Sequence, residues 1–163
     1  MDMVDITQFK ITEMPFGLRL RSLGPDITIF NYLKEEGVRK MVNDHYELLV
    51  ESSIKDMFPP KGELLEGAKR RSADFFVQRL GGPQYYKMSR GNPMLANRHL
   101  PFKISPKSRI VWLDCYRMVL SQFEGIPDDL VRSFWKWLDE FSNWMVNQHD
   151  EPQFKMNIKI PRI

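Results

Sequence analysis

Cysteine is nearly missing from this 163-residue chain: Cys115 stands alone, which excludes an internal disulfide and any multi-cysteine metal cluster. Histidine is almost as scarce, with only His45, His99 and His149. No uninterrupted apolar run approaches the roughly 18 residues a membrane span requires. The first residues carry Asp2 and Asp5 where a secretory signal would be basic. A soluble cytoplasmic protein is therefore expected. No glycine-rich flavin or nicotinamide fingerprint is present. The net charge of +3 is mild for a nucleic-acid binder, although it favours an anionic ligand. What remains, 42% apolar residues over this length, is enough for one sizeable core and calls for no second domain.

Residues 1–26 alternate short apolar groups (Phe9 and Ile11; Phe16, Leu18 and Leu20) with charges and are broken by Pro15, Gly17, Gly24 and Pro25, which reads as an extension outside the core. A short helix is expected from Ile27 to Glu36, closed by Gly37 as a left-handed cap. A second helix follows at once, with Val38, Val42, Tyr46 and Leu49 on its buried face. Pro59 and Pro60 stop the corner that holds Phe58. The next helix runs from Glu63 to about Leu80 and places Leu65, Ala68, Ser72 and Phe75 or Phe76 on one face, until Gly81, Gly82 and Pro83 end it. Residues 84–92 look like a loop. Ser105 and Pro106 supply the cap and first turn of a helix to about Phe123, expected to be the most buried element, with Trp112, Tyr116, Val119 and Phe123 as its main stripe and Ile110, Leu113 and Met118 adding others. The last helix starts at Pro127, Asp128 and Asp129 and ends near Asn147. From Phe154 to Ile160 the chain alternates with period two, a strand pattern that would pair with the Phe9 and Ile11 segment or with a partner's tail unless it is disordered.

The stretch from Leu80 to Trp112 organises the rest. It sets His99 on a short apolar segment between two breaks, with Trp112 thirteen positions later on the next helix. The ordered runs LGGPQYY, GNPML, RHLPFKIS and WLDCY resemble the group II truncated haemoglobins, over roughly residues 27–147. The resemblance implies an all-α truncated globin fold, a two-over-two helical sandwich over residues 27–148, with an N-terminal extension (1–26) and a C-terminal tail (149–163). It also implies haem b, an iron protoporphyrin IX, held non-covalently because the chain has no Cys-x-x-Cys-His attachment run.

Carried over position by position, His99 matches the proximal histidine that binds haem iron, and Arg98 a propionate contact. Tyr46 matches the distal tyrosine, Phe58 the aromatic on the haem face, Ala68 the ligand gate, and Ser72 a distal position one turn on. Trp112 matches the tryptophan characteristic of the group. Arg71 and Tyr86 align with propionate contacts, and Phe75, Leu95 and Phe102 complete the expected haem lining. Ser72 is a departure, because a larger leucine or glutamine is common there. His45 adjoins Tyr46 but points roughly 100 degrees away around the helix, and His149 lies past a helix end.

The implied function is reversible binding of oxygen or another diatomic gas, with oxygen transport as one use. Tyr46, Trp112 and Ser72 are the candidate distal donors. A redox enzyme on the same haem, oxidising nitric oxide or reducing peroxide, is the alternative, and it would need an external reductase as partner. A third reading makes a nucleic-acid surface of Tyr85, Tyr86, Lys87, Arg90 and the basic residues after them. Neither nucleic acid nor membrane is the expected partner, and the chain is expected to be a monomer or homodimer.

Overall fold

A computed structural model describes residues 4–20 and 24–151. Among these residues there is no strand. Six α-helices carry the fold: α1 (Ile29–Leu49), α2 (Glu63–Arg79), α3 (Tyr85–Arg90), α4 (Leu95–His99), α5 (Pro106–Leu120) and α6 (Asp128–Met145). α1 packs on α2 and α5 packs on α6, and the two pairs meet through α1 against α5. α3 lies on α2, and α4 on α6. This is the two-over-two sandwich expected from the sequence. No helix among the described residues is long and apolar enough to cross a membrane.

Local chemistry sets several boundaries. Ser105 accepts from the Ser108 amide while the Ser108 hydroxyl accepts from the Ser105 amide, a reciprocal cap with Pro106 in the first turn of α5. Asp128 and Asp129 sit in the first turn of α6, where carboxylates meet the positive end of the helix dipole. α2 ends where predicted. Gly81 takes a φ of 98°, and a β-carbon on Gly82 would lie 2.7 Å from the Phe30 ring and 2.8 Å from Val77, so the chain passes where only glycine fits.

Other expectations are corrected. The break in the first helical region falls at Lys34, whose φ of 56° and ψ of 179° lie outside the helical region, and not at Gly37. Gly37 is helical. Its smallness serves packing, because a β-carbon there would meet the Leu33 β-carbon at 3.2 Å. Residues 85–90 form a helix where a loop was expected, since Tyr86 is buried edge-on against Phe75 and anchors the turn. α6, not α5, is the most buried helix, with ten buried residues against seven in α5. Ile110 and Met118 of α5 are exposed.

The N-terminal residues are also more than an appendage. Phe9 is buried and stacks on Trp135 with centroids 5.1 Å apart. Trp135 Nε1 donates to Lys10 O (2.8 Å), and Arg117 donates to Phe9 O through Nη2 (2.6 Å). Arg109 and Asp139, a buried pair at 2.6 Å, grip Thr12 from both sides: Arg109 Nη1 donates to Thr12 O and the Thr12 amide donates to Asp139 Oδ1. No part of the 4–20 segment is a strand. The expected strand at 154–160 lies outside the described residues.

Candidate functional site

His99 is the last residue of α4, a five-residue helix that starts from Met94 in the left-handed region (φ 42°, ψ 47°). The ring is half-buried, with Nδ1 2.6 Å from Leu95 O. A carbonyl can only accept, so Nδ1 carries the proton, and in the neutral imidazole the lone pair is on Nε2. Metal-ligating histidines are prepared in just this way, with the far nitrogen donating to a carbonyl. Leu95 is buried beneath, and the Phe102 ring lies 6.2 Å from the imidazole. Phe102 itself is exposed.

Arg98 clamps the neighbouring loop. Its Nε donates to Pro93 O (2.7 Å) and its Nη2 to Arg90 O (2.9 Å), while the guanidinium stands 5.6 Å from the Tyr86 ring. The side chain expected at a propionate thus already ties α3 to α4.

A second group of candidates comes from α1, α2 and the corner between them. Lys69 of α2 donates to Asn43 (2.9 Å) and Glu47 (2.5 Å) of α1, which sets the register of the two helices. In that register Tyr46 comes close to Ser72, and the Phe58 ring stands edge-on to Tyr46 at 5.7 Å. Burial raises the Tyr46 pKa, outweighing the nearby Ser72 hydroxyl and Arg71 charge, so the phenol stays protonated and able to donate. Ala68 is buried one turn before Ser72, and Arg71 is exposed.

Trp112 of α5 is half-buried, 4.7 Å from the Tyr116 ring and 6.4 Å from Phe141. His45 backs it. That imidazole is buried, stacks on Tyr116 at 3.5 Å, stands edge-on to Trp112 at 5.0 Å, and donates from Nε2 to Trp112 O (3.0 Å). Burial pushes its pKa down to about 3 against the opposing effect of the Trp112 carbonyl, so the ring is neutral. His45 continues the buried series Met41, His45, Leu49, a four-residue spacing that is the signal for it in the sequence.

The candidates therefore fall into two walls. Tyr46, Phe58, Ala68 and Ser72, with Trp112 reached through His45, make one. His99, Leu95, Arg98, Tyr86 and Phe75 make the other, and the two are bridged by Phe141, stacked 5.8 Å from Phe75 and tilted 6.4 Å from Trp112. The ring contact of His99 is with Phe102, not with Tyr46 or Trp112. Two surface hollows, about 360 Å³ beside Arg39 and Tyr85 and about 490 Å³ beside Glu63 and Arg71, lie away from His99. No group of three His, Cys, Asp or Glu among the described residues is placed to hold a bare metal ion. One prepared imidazole suits a metal that brings its other ligands with it, as iron in a porphyrin does. The residues present fit that group.

The model of the bacterial-like globin family matches residues 28–147. The chain is 32% identical over 120 residues to the group 2 truncated hemoglobin YjbI of Bacillus subtilis, covering 73% of this chain and 88% of that protein. Among solved structures, phosphate-bound Hell's gate globin IV is similar with a TM-score of 0.76 and 34% identity, covering 87% of this chain and 89% of that one. The group II truncated hemoglobin of Bacillus anthracis gives 0.67 and 29%, covering 76% and 94%. The truncated oxygen-avid haemoglobin of Bacillus subtilis gives 0.63 and 32%, covering 72% and 98%.

Proposed function

The chain belongs to the bacterial-like globins and, among them, to the group II truncated haemoglobins; from that premise we propose that His99 ligates the iron of a non-covalent haem b at which oxygen or another diatomic gas binds reversibly. The observation that carries this reading is the His99 Nδ1 bond to Leu95 O, which leaves Nε2 as a free donor atom on one wall of the sandwich. When bound, the haem would supply an iron able to bind a diatomic ligand. Everything else falls to the chain. Leu95, Phe75, Phe58 and Phe102 would give apolar surface to a flat macrocycle, and Arg71, Arg98 and Tyr86 would hold its carboxylates.

On the distal wall, Tyr46 donates to a ligand carrying partial negative charge, with the Trp112 indole and the Ser72 hydroxyl as further donors. Each bond to a charged group is worth roughly 1.5–3 kcal/mol, on the order of tenfold to a hundredfold in residence time. Ala68 leaves a small side chain at the entrance and offers no donor, so retention depends on the tyrosine and the tryptophan. Residues 27–148 form the binding unit in this reading. Replacing Tyr46 with Phe removes one hydroxyl and little volume. The oxygen dissociation rate should rise at least about tenfold; an unchanged rate would reduce Tyr46 to a packing residue.

A further inference from the structure

The segment from His99 to Ile104 leaves α4 and reaches α5 with a single backbone turn of its own, Phe102 N to His99 O at 2.9 Å. Five hydrogen bonds in all join this segment to the residues just after α6. Three come from one side chain: Asn147 Nδ2 donates to Phe102 O (2.8 Å) and to His99 O (3.2 Å), and Asn147 Oδ1 accepts from the Ile104 amide (3.0 Å). The Asn147 and Gln148 amides both donate to Ile104 O, at 2.9 and 3.2 Å. Val146 makes this reach available, because its extended backbone (φ −63°, ψ 126°) turns the chain out of the helix.

We propose that Asn147 is a positioning residue for the His99 imidazole. This rests on the reading that His99 ligates haem iron. The ring is held from both sides of its own residue: its Nδ1 is bonded back to Leu95 O inside α4, and its carbonyl is bonded forward to Asn147, just past the end of α6. Without Asn147 the carbonyl keeps only the Phe102 amide, and the backbone at residue 99 gains freedom to rotate and carry Nε2 with it. A carboxamide suits the task because it donates and accepts at once; a carboxylate keeps only the acceptor, and an alkyl group keeps neither.

The test compares Asn147→Ala, Asn147→Asp, Asn143→Ala and His99→Ala as haem-loaded full-length proteins. Asn143 sits one turn earlier and donates to Pro15 O and Leu18 O, not to the His99 segment, so its loss controls for general loosening of this end of α6. The readouts are the iron–histidine stretching band of the ferrous, ligand-free protein and the rate of haem transfer to excess apomyoglobin.

Asn147→Ala should shift and broaden the band and speed haem loss about five- to tenfold. Asn147→Asp should shift the band in the same direction, and it decides the matter alone if the alanine variant fails to fold. Asn143→Ala should leave the band where the wild type has it. Wild-type bands and wild-type haem loss in both Asn147 variants would overturn the proposal with His99 ligation intact, and so would an equal shift in Asn143→Ala. If His99→Ala keeps the wild-type band, the ligation reading itself fails, and the role of Asn147 goes with it.

Discussion

The two walls of the candidate site are built by different physics. The distal wall rests on long helices, and its rings are set by packing: His45 lies against Tyr116 and Trp112, and Tyr46 stands edge-on to Phe58. The proximal wall takes His99, Leu95, Arg98 and Tyr86 from two helices of six and five residues, too short to hold themselves, and these are fixed by the contact of Tyr86 with Phe75 and by hydrogen bonds to backbone carbonyls from Arg98 and Asn147. A wall of packed rings resists change as a body. A wall of carbonyl bonds can be loosened one bond at a time, and it carries the atom proposed to hold iron.

The contrast breaks most visibly at Tyr116, fully buried beneath His45 and Trp112. Tyr116→Ala opens a cavity in the packed wall and should cost roughly 3–5 kcal/mol of global stability by urea unfolding. A loss below about 1 kcal/mol would mean that the wall is not held by packing.

His45 gives the next effect. An ordinary histidine takes up a proton near 6.5, whereas burial holds this one at about 3 in the folded chain. Between those values the unfolded chain binds the proton and the folded one does not. The contribution is therefore fully present above about pH 6.5 and drains away as pH falls toward about 3, at up to about 1.4 kcal/mol per pH unit. From about pH 6.5 to 4.5 the wild type should lose roughly 2 kcal/mol more than His45→Phe. Parallel stability curves for the two proteins would show that His45 is not held neutral.

Arg98 sharpens the comparison from the other side. Arg98→Ala frees the Arg90 and Pro93 carbonyls and should lower hydrogen-exchange protection across α3 and α4 by about 1 kcal/mol, with the midpoint of global unfolding unmoved. A cooperative loss across the whole chain would put the proximal wall inside the same packed unit as the distal one.

This division also explains what could be read from the chain beforehand. The ends of α2, α5 and α6 were legible because Gly81 and Gly82, Ser105 and Pro106, and Asp128 each act on their immediate neighbours. The candidates His99, Tyr46 and Trp112 were legible from their spacing within a family pattern. Interactions between residues far apart in sequence were not. His45 meets Trp112 O across 67 positions, and Asn147 meets the His99 segment across 43 to 48. Phe9 reads as part of an extension outside the core, because nothing near it in sequence signals Trp135. α3 was hidden for a related reason: six residues have little helical preference of their own, and burial of Tyr86 on Phe75 stabilises the turn.

The proximal imidazole is tested most directly by titrating the haem-free protein and its His99→Ala variant with haemin, reducing each, and recording absorption spectra. The wild type should take up one equivalent, with an intense near-ultraviolet band and the ferrous spectrum of a histidine-ligated haem, while the variant should bind weakly and lack that ferrous spectrum. Identical titrations and identical ferrous spectra would contradict the account and move the iron ligand away from His99.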